Sequence, residues 1–238
     1  MPEELQEAMK IPKSLKEIEL YMKDRVGLTV SFDLGVRKMK IHGKELDVYF
    51  LNGLCNSVLL SEMLDEILEL NDYSKPAANF FSVVENHLIH QAVSTIKTMD
   101  ELVDQVLTGL AIFVPEGAGK ALVADLREYP GRQPAEPDTE KVVRGSRDGY
   151  VENIIVNTAL TRRRIHDERL RFEMMKVGER SKTDVAIAYI KDVANPDLVK
   201  TVKEKVAAIE VDGLTMGDKT VEEFIVRQGY NPYPLVRY

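Results

Sequence analysis

Two stretches decide the fold: VYFLNGLCNSVLL (Val48–Leu60) and IAYIKDVANPDLV (Ile187–Val199). They lie against each other without a gap. Apolar positions coincide, and Asn56 falls on Asn195. Each opens as an apolar run of strand character and runs on into a helix. The asparagine stands where a capping side chain accepts from the first unpaired N–H groups. Pro196, directly after Asn195, occupies a first helical position that favours proline.

The same order of elements surrounds both stretches. In the first half, Ser14 and Glu17 form a capping box for a helix to about Arg25. Leu28 to Leu51 reads as a β-hairpin turning at His42-Gly43-Lys44. The Asn56-capped helix runs to about Leu70, and a further helix covers Pro76 to His90. Thr98 and Glu101 box a helix to about Thr108. Leu110–Val114 and Ala121–Leu126 then form a strand pair around Pro115–Lys120.

After the Pro- and Gly-rich Tyr129–Pro137 linker, the order returns. A helix is expected over about Gly149–Ile165 with Asp148 as its cap. A hairpin follows, Arg171–Val177 with Thr183–Ile190, then the Asn195-capped helix to about Ile209, then a helix boxed by Thr220 and Glu223. The sequence therefore predicts an α/β (α+β) chain of two similar tandem subdomains, each helix–hairpin–helix–helix. The first covers residues 1–131 and the second 132–238. The second is expected to lack the final strand pair, leaving an open sheet edge.

Charge concentrates at the junction. The chain is acidic, with 39 Asp and Glu against 32 Lys and Arg and a net charge of −7. Lys141 to Arg171 nevertheless carries eight basic and four acidic residues, leaving −11 for the remainder. That balance disfavours nucleic acid, which needs a basic footprint. Three successive arginines on a helix also point about 100° apart and cannot form one phosphate-facing row.

Val151, Ile155, Thr158, Arg162 and Ile165 share one face of the expected helix, and most of its remaining surface is also apolar. Such a helix is central, so Arg162 needs a carboxylate partner. Glu136, Asp138, Glu140 and Asp148 of the preceding loop are the candidates, because the guanidinium fork suits a carboxylate. The segment can be a structural ion network, an anion or ligand site in a cleft, or an oligomer contact.

No catalytic constellation stands out. Gly117-Ala118-Gly119-Lys120 lacks the first glycine and the Ser or Thr of a phosphate loop and sits between strands, so it reads as a turn. His87 and His90 have no convincing third ligand. Cys55, the single cysteine, reads as a packed side chain and excludes a disulfide framework. No cofactor and no metal are expected. No apolar run approaches the roughly 20 residues that span a bilayer.

The junction residues carry a resemblance. Arg132…Glu136-Pro137-Asp138-Thr139-Glu140, Val143-Arg144-Gly145-Ser146-Arg147-Asp148-Gly149-Tyr150…Glu152, and Asn157…Leu160…Arg162…Arg164-Ile165 resemble the signature of the A subunits of GerA-type spore germinant receptors. That signature has an arginine before EP-x-T-E, then V-R-G-P-R-[DE]-G-F-x-E, then N-x-x-L-x-R-x-R-I. Lys182-Thr183, Tyr189, Asp212-Gly213 and Asn231-Pro232-Tyr233-Pro234 match later family positions. Ser146 and Tyr150 depart from the usual proline and phenylalanine. These departures resemble a paralogue that is not regarded as a germinant sensor.

The resemblance implies that the full protein continues after Tyr238 into more β-structure and a membrane domain. Its place would be the inner membrane of an endospore, with this domain on the core (cytoplasmic) side. It implies subdomains like the lobes of solute-binding proteins, homo-oligomerisation through the full-length protein, and spore-membrane germination partners that include a small membrane protein. The function expected is non-enzymatic: oligomer assembly and gating in a protein that promotes ion release. An ion network of Arg132, Glu136, Glu140, Arg144, Arg147, Asp148, Glu152, Arg162, Arg163 and Arg164 would fix the angle between the lobes. The alternative is a small-solute module using an interlobe cleft at Arg144, Arg147 and Asn157.

Overall fold

His42 and Gly43 both adopt positive φ, +48° and +80°. Two such residues make the tight turn whose twist matches an antiparallel pair. They join β1 (Leu34–Ile41) to β2 (Lys44–Leu51), paired along their whole length from Leu34↔Leu51 to Ile41↔Lys44. The computed structural model describes residues 8–73, 80–88, 93–130, 149–213 and 218–225.

The chain divides into two compact units, Met1–Glu168 and Arg169–Tyr238. In the first, α1 (Leu15–Arg25) precedes the hairpin. Then come α2 (Ser57–Tyr73), α3 (Phe80–His87), β3 (Val93–Ile96), α4 (Met99–Leu107), β4 (Ala111–Pro115), β5 (Ala121–Ala124) and α5 (Ile154–Arg164). The sheet order is β1-β2-β4-β5-β3, antiparallel throughout. Alternation along β2 and β4 builds two cores. Tyr49, Leu51, Ile112 and Val114 pack with Ile18 and Met22 of α1 and with Leu102 and Val106 of α4. Leu46, Val48 and Phe113 face Met63 and Ile67 of α2 and Val84 of α3. The unit is thus a sheet covered by helices on both faces.

The second unit holds β6 (Leu170–Val177), β7 (Thr183–Ile190), α6 (Pro196–Ala207) and α7 (Asp218–Ile225). Val177, Val206 and Ile209 centre its core. Among the described residues its sheet has two strands, against five in the first unit.

The ungapped alignment of the two stretches survives in three dimensions. Lys44 and Leu51 bound β2, and their counterparts Thr183 and Ile190 bound β7. After β2, the N–H groups of Leu54 and Cys55 donate to the Leu51 carbonyl. After β7, those of Val193 and Ala194 donate to the Ile190 carbonyl. Asn56 Oδ1 then accepts from Val58 and Leu59, and Asn195 Oδ1 from Asp197, all at 2.9 Å.

Other expectations change. The division falls after α5, whereas the sequence placed it near Arg132, because Ala159 of α5 belongs to the first core. Helix α5 starts at Ile154, and Asn153, not Asp148, caps it by accepting from Ile155 and Val156. Ser14 stands at the N-cap of α1 without a side-chain cap. Thr220 lies inside α7, so it caps nothing there. The Thr98–Glu101 capping box is present in full. Strand β3 carried too little apolar content, Val93 and Ile96 around Ser94 and Thr95, to be read from sequence.

Candidate functional site

Among the described residues Arg162 is the largest side chain that is fully enclosed, with 1% of the residue exposed. Its Nε donates to Asp33 Oδ2 at 2.9 Å, and its Nη2 lies 2.9 Å from the same oxygen. Its Nη1 donates to the Asp167 carbonyl at 3.2 Å. Asp33 is itself 2% exposed, and its Oδ1 accepts from the buried Ser31 hydroxyl at 2.7 Å. Asp33 lies 129 positions earlier in the chain, and the carboxylates of the preceding loop lie outside the described residues.

The loop ahead of β1 holds Asp33 in place. Helix α1 closes with the N–H groups of Val26, Gly27 and Leu28 all donating to the Met22 carbonyl. Gly27 has φ +83°, and its carbonyl accepts from Val30 and Ser31. Beyond it, the N–H of Asn52 donates to the Asp33 carbonyl at 2.7 Å, and the Asn52 amide donates to the Phe32 carbonyl. The repeat stretch after β2 therefore buttresses the acid that Arg162 needs. Two buried charges cost several kcal/mol each to desolvate, and only a well-formed pair with further hydrogen bonds offsets that.

Helix α5 reaches this position by close packing. Gly53, at φ +84°, leaves room for it: a Cβ there would come within 3.0 Å of Ala159 Cβ and Ile155 Cγ2. Thr158 is buried and returns its hydroxyl to the Ile154 and Ile155 carbonyls.

The three arginines diverge as their spacing requires. Arg163 is exposed with its guanidinium 5.1 Å from the centre of the Tyr129 ring. Arg164 is exposed along a shallow groove with Tyr150, Leu160 and Thr161. Glu152 is exposed too. The proposed network residues Arg132, Glu136, Glu140, Arg144, Arg147 and Asp148 lie outside the described residues, as does Asp138. Of the suggested ligand residues, Arg144 and Arg147 lie there too. Asn157 is committed locally: its Oδ1 accepts from Val151 N–H at 2.8 Å and its Nδ2 donates to the Val151 carbonyl. It closes the turn entering α5.

Elsewhere the chemistry is sparse. Cys55 is buried, and burial pushes its thiol up to about 11. Gly117 to Lys120 form the β4–β5 turn. Among the described residues no group of three or more His, Cys, Asp or Glu side chains could share a metal, and His90 lies outside them. No described helix is long and apolar enough to cross a membrane.

The sequence profile of the Bacillus/Clostridium GerA spore germination protein matches residues 21–238. The chain belongs to the GerA family. Stage V sporulation protein AF of Bacillus subtilis is 55% identical over all of this chain, which covers 48% of that protein. Spore germination protein GerLA of Bacillus cereus is 26% identical over 95% of this chain and 46% of its own length. This GerA-family chain thus spans about half the length of the curated relatives it matches. The N-terminal domain of the A subunit of the Bacillus megaterium spore germinant receptor GerK3 has the same fold. Its TM-score is 0.67 at 22% identity, covering 96% of this chain and 84% of that one.

Proposed function

We propose that this is the N-terminal domain of a spore inner-membrane protein that promotes ion release during germination, acting in oligomer assembly and gating. The buried Arg162–Asp33 pair is the observation that carries this reading. It lies where the stretch resembling the family signature ends, and it fastens α5 to the loop ahead of β1. A buried pair of this kind has two discrete states, made and broken, and an element with two discrete states can transmit a signal. The names of the relatives, a stage V sporulation protein and a spore germination protein, support a role in sporulation or germination. The whole protein would act as a homo-oligomer in the membrane, beside other germination proteins that include a small membrane partner.

The test uses the full-length protein in spores. Arg162→Lys keeps the charge but loses the fork that converges on Asp33. At unchanged protein level it is expected to slow ion release after a germination stimulus and to weaken oligomer recovery from membranes. Unchanged release and unchanged assembly would overturn the reading. Saturable calorimetric binding of a small solute to the isolated chain would favour a ligand module instead.

A further inference from the structure

Asp47 is an anomaly that the site above does not use. It lies on β2, an interior strand between β1 and β4, and is only 3% exposed. Its one described hydrogen bond comes from the Tyr49 hydroxyl, at a long 3.5 Å. The residue directly opposite it on β1 is Lys38. Yet the Lys38 ammonium is turned away, donating to Glu19 Oε2 of α1 at 2.5 Å. Glu19 holds a second cation, Lys23, 2.8 Å from its other oxygen. One acid therefore has two cations while its buried neighbour has none in contact.

The setting makes exchange between them feasible. An open groove of about 450 Å³ between α1 and the hairpin is lined by Lys16, Glu19, Lys38, Lys40, Glu45 and Asp47. The Lys38 side chain is 55% exposed, so it can move. On β4 the partner of Asp47 is the apolar Val114, which offers no charge. Burial raises the Asp47 carboxyl above its usual range, Lys38 opposes that, and Glu19 and Glu45 reinforce it. Lys23 and then Lys38 hold Glu19 below its usual range.

We propose that Lys38 shuttles between Glu19 and Asp47, so that a proton on Asp47 controls the ionic tie between α1 and the hairpin. With Asp47 neutral, Lys38 stays on Glu19 and α1 is tied to β1. When Asp47 loses its proton to water in the groove, its buried charge draws Lys38 across the strand pair. Glu19 keeps Lys23, so it is not stranded. The tie then opens as pH rises and closes as pH falls, between the lowered range of Glu19 and the raised range of Asp47. Because α1 leads directly into the loop that presents Asp33, the exchange gives the domain a proton-sensitive input.

Carboxyl-carbon NMR titration of the 238-residue chain tests this. Asp47 should titrate above the usual carboxylate range. The Glu19 carboxyl should show a second inflection at the same midpoint, and that inflection should vanish in Asp47→Asn. Titration of Asp47 in the ordinary range would overturn the proposal, as would a Glu19 signal indifferent to Asp47. Failure of Asp47→Asn to fold would overturn it too, because the amide mimics the neutral acid that the proposal makes the favoured form.

Discussion

Arg162 on α5 and Asp33 ahead of β1 pair with side chains that are each 2% exposed, across 129 positions of sequence. Removing one member breaks a buried ion pair, which typically costs about 3–5 kcal/mol. Arg162→Ala and Asp33→Ala should each show that loss in urea unfolding of the first unit. Arg162→Met combined with Asp33→Leu should recover most of it, since no lone charge remains. A double-mutant cycle with near-zero coupling would show that the pair does not act as a unit.

The equivalence of the two capped helices gives a paired prediction. Asn56 and Asn195 each supply a side-chain oxygen to free N–H groups at a helix start. Alanine at either position should cost about 1 kcal/mol. The caps share no hydrogen-bond partner, so the double variant should show the sum of the two losses. The measurement is unfolding monitored by helical circular dichroism. A loss at one position only would separate the helix starts that the alignment equates.

Much of the architecture was legible because its signals are local. The His42-Gly43 turn, the apolar runs of β2 and β4, the Thr98–Glu101 box and the asparagine caps all act within a few residues. The solitary burial of Arg162 was legible too, since helical projection places it between Val151 and Ile155. Its partner was not. Asp33 sits in a loop with no periodicity to mark it, and only the tertiary packing of α5 over Gly53 brings it within reach. The Ser14 and Thr220 boxes show the opposite error. The residue types fit a cap, but the Ser14 side chain makes no cap bond, and at Thr220 the helix has already begun at Asp218.

Gly53 tests how closely α5 must approach. Its φ of +84° disfavours any side chain, and a Cβ would press on Ala159 and Ile155. The left-handed backbone alone costs about 1–2 kcal/mol for a non-glycine residue. Gly53→Ala should exceed that and loosen α5, seen as faster hydrogen exchange across residues 154–164. Gly43→Ala, with φ +80° but nothing within 4 Å, should cost the backbone amount alone and leave that exchange unchanged.

Cys55 predicts slow thiol chemistry. Burial places its pKa near 11, so at pH 8 little thiolate exists, and the thiolate is the reactive form. A disulfide reagent should label the native chain far more slowly than the urea-unfolded chain. Equal rates would contradict the packing of Cys55 in the second core.

Asp47 sets the sign of one part of the stability–pH curve. Its folded carboxyl is raised above the unfolded value, mainly by burial. Its contribution to stability is therefore complete below the unfolded value of about 3.9. It is lost as pH rises through the folded value, because the native state binds the extra proton. Glu19 runs the other way: its lowered carboxyl stabilises above about 4.3 and loses that as pH falls through the folded value. Asp47→Asn removes only the first effect. It should raise the melting temperature at pH 7 relative to the parent chain, and the gain should shrink as pH approaches 4. A variant that melts lower at pH 7, or a gain that does not change with pH, would mean that the Asp47 carboxylate is satisfied where it lies.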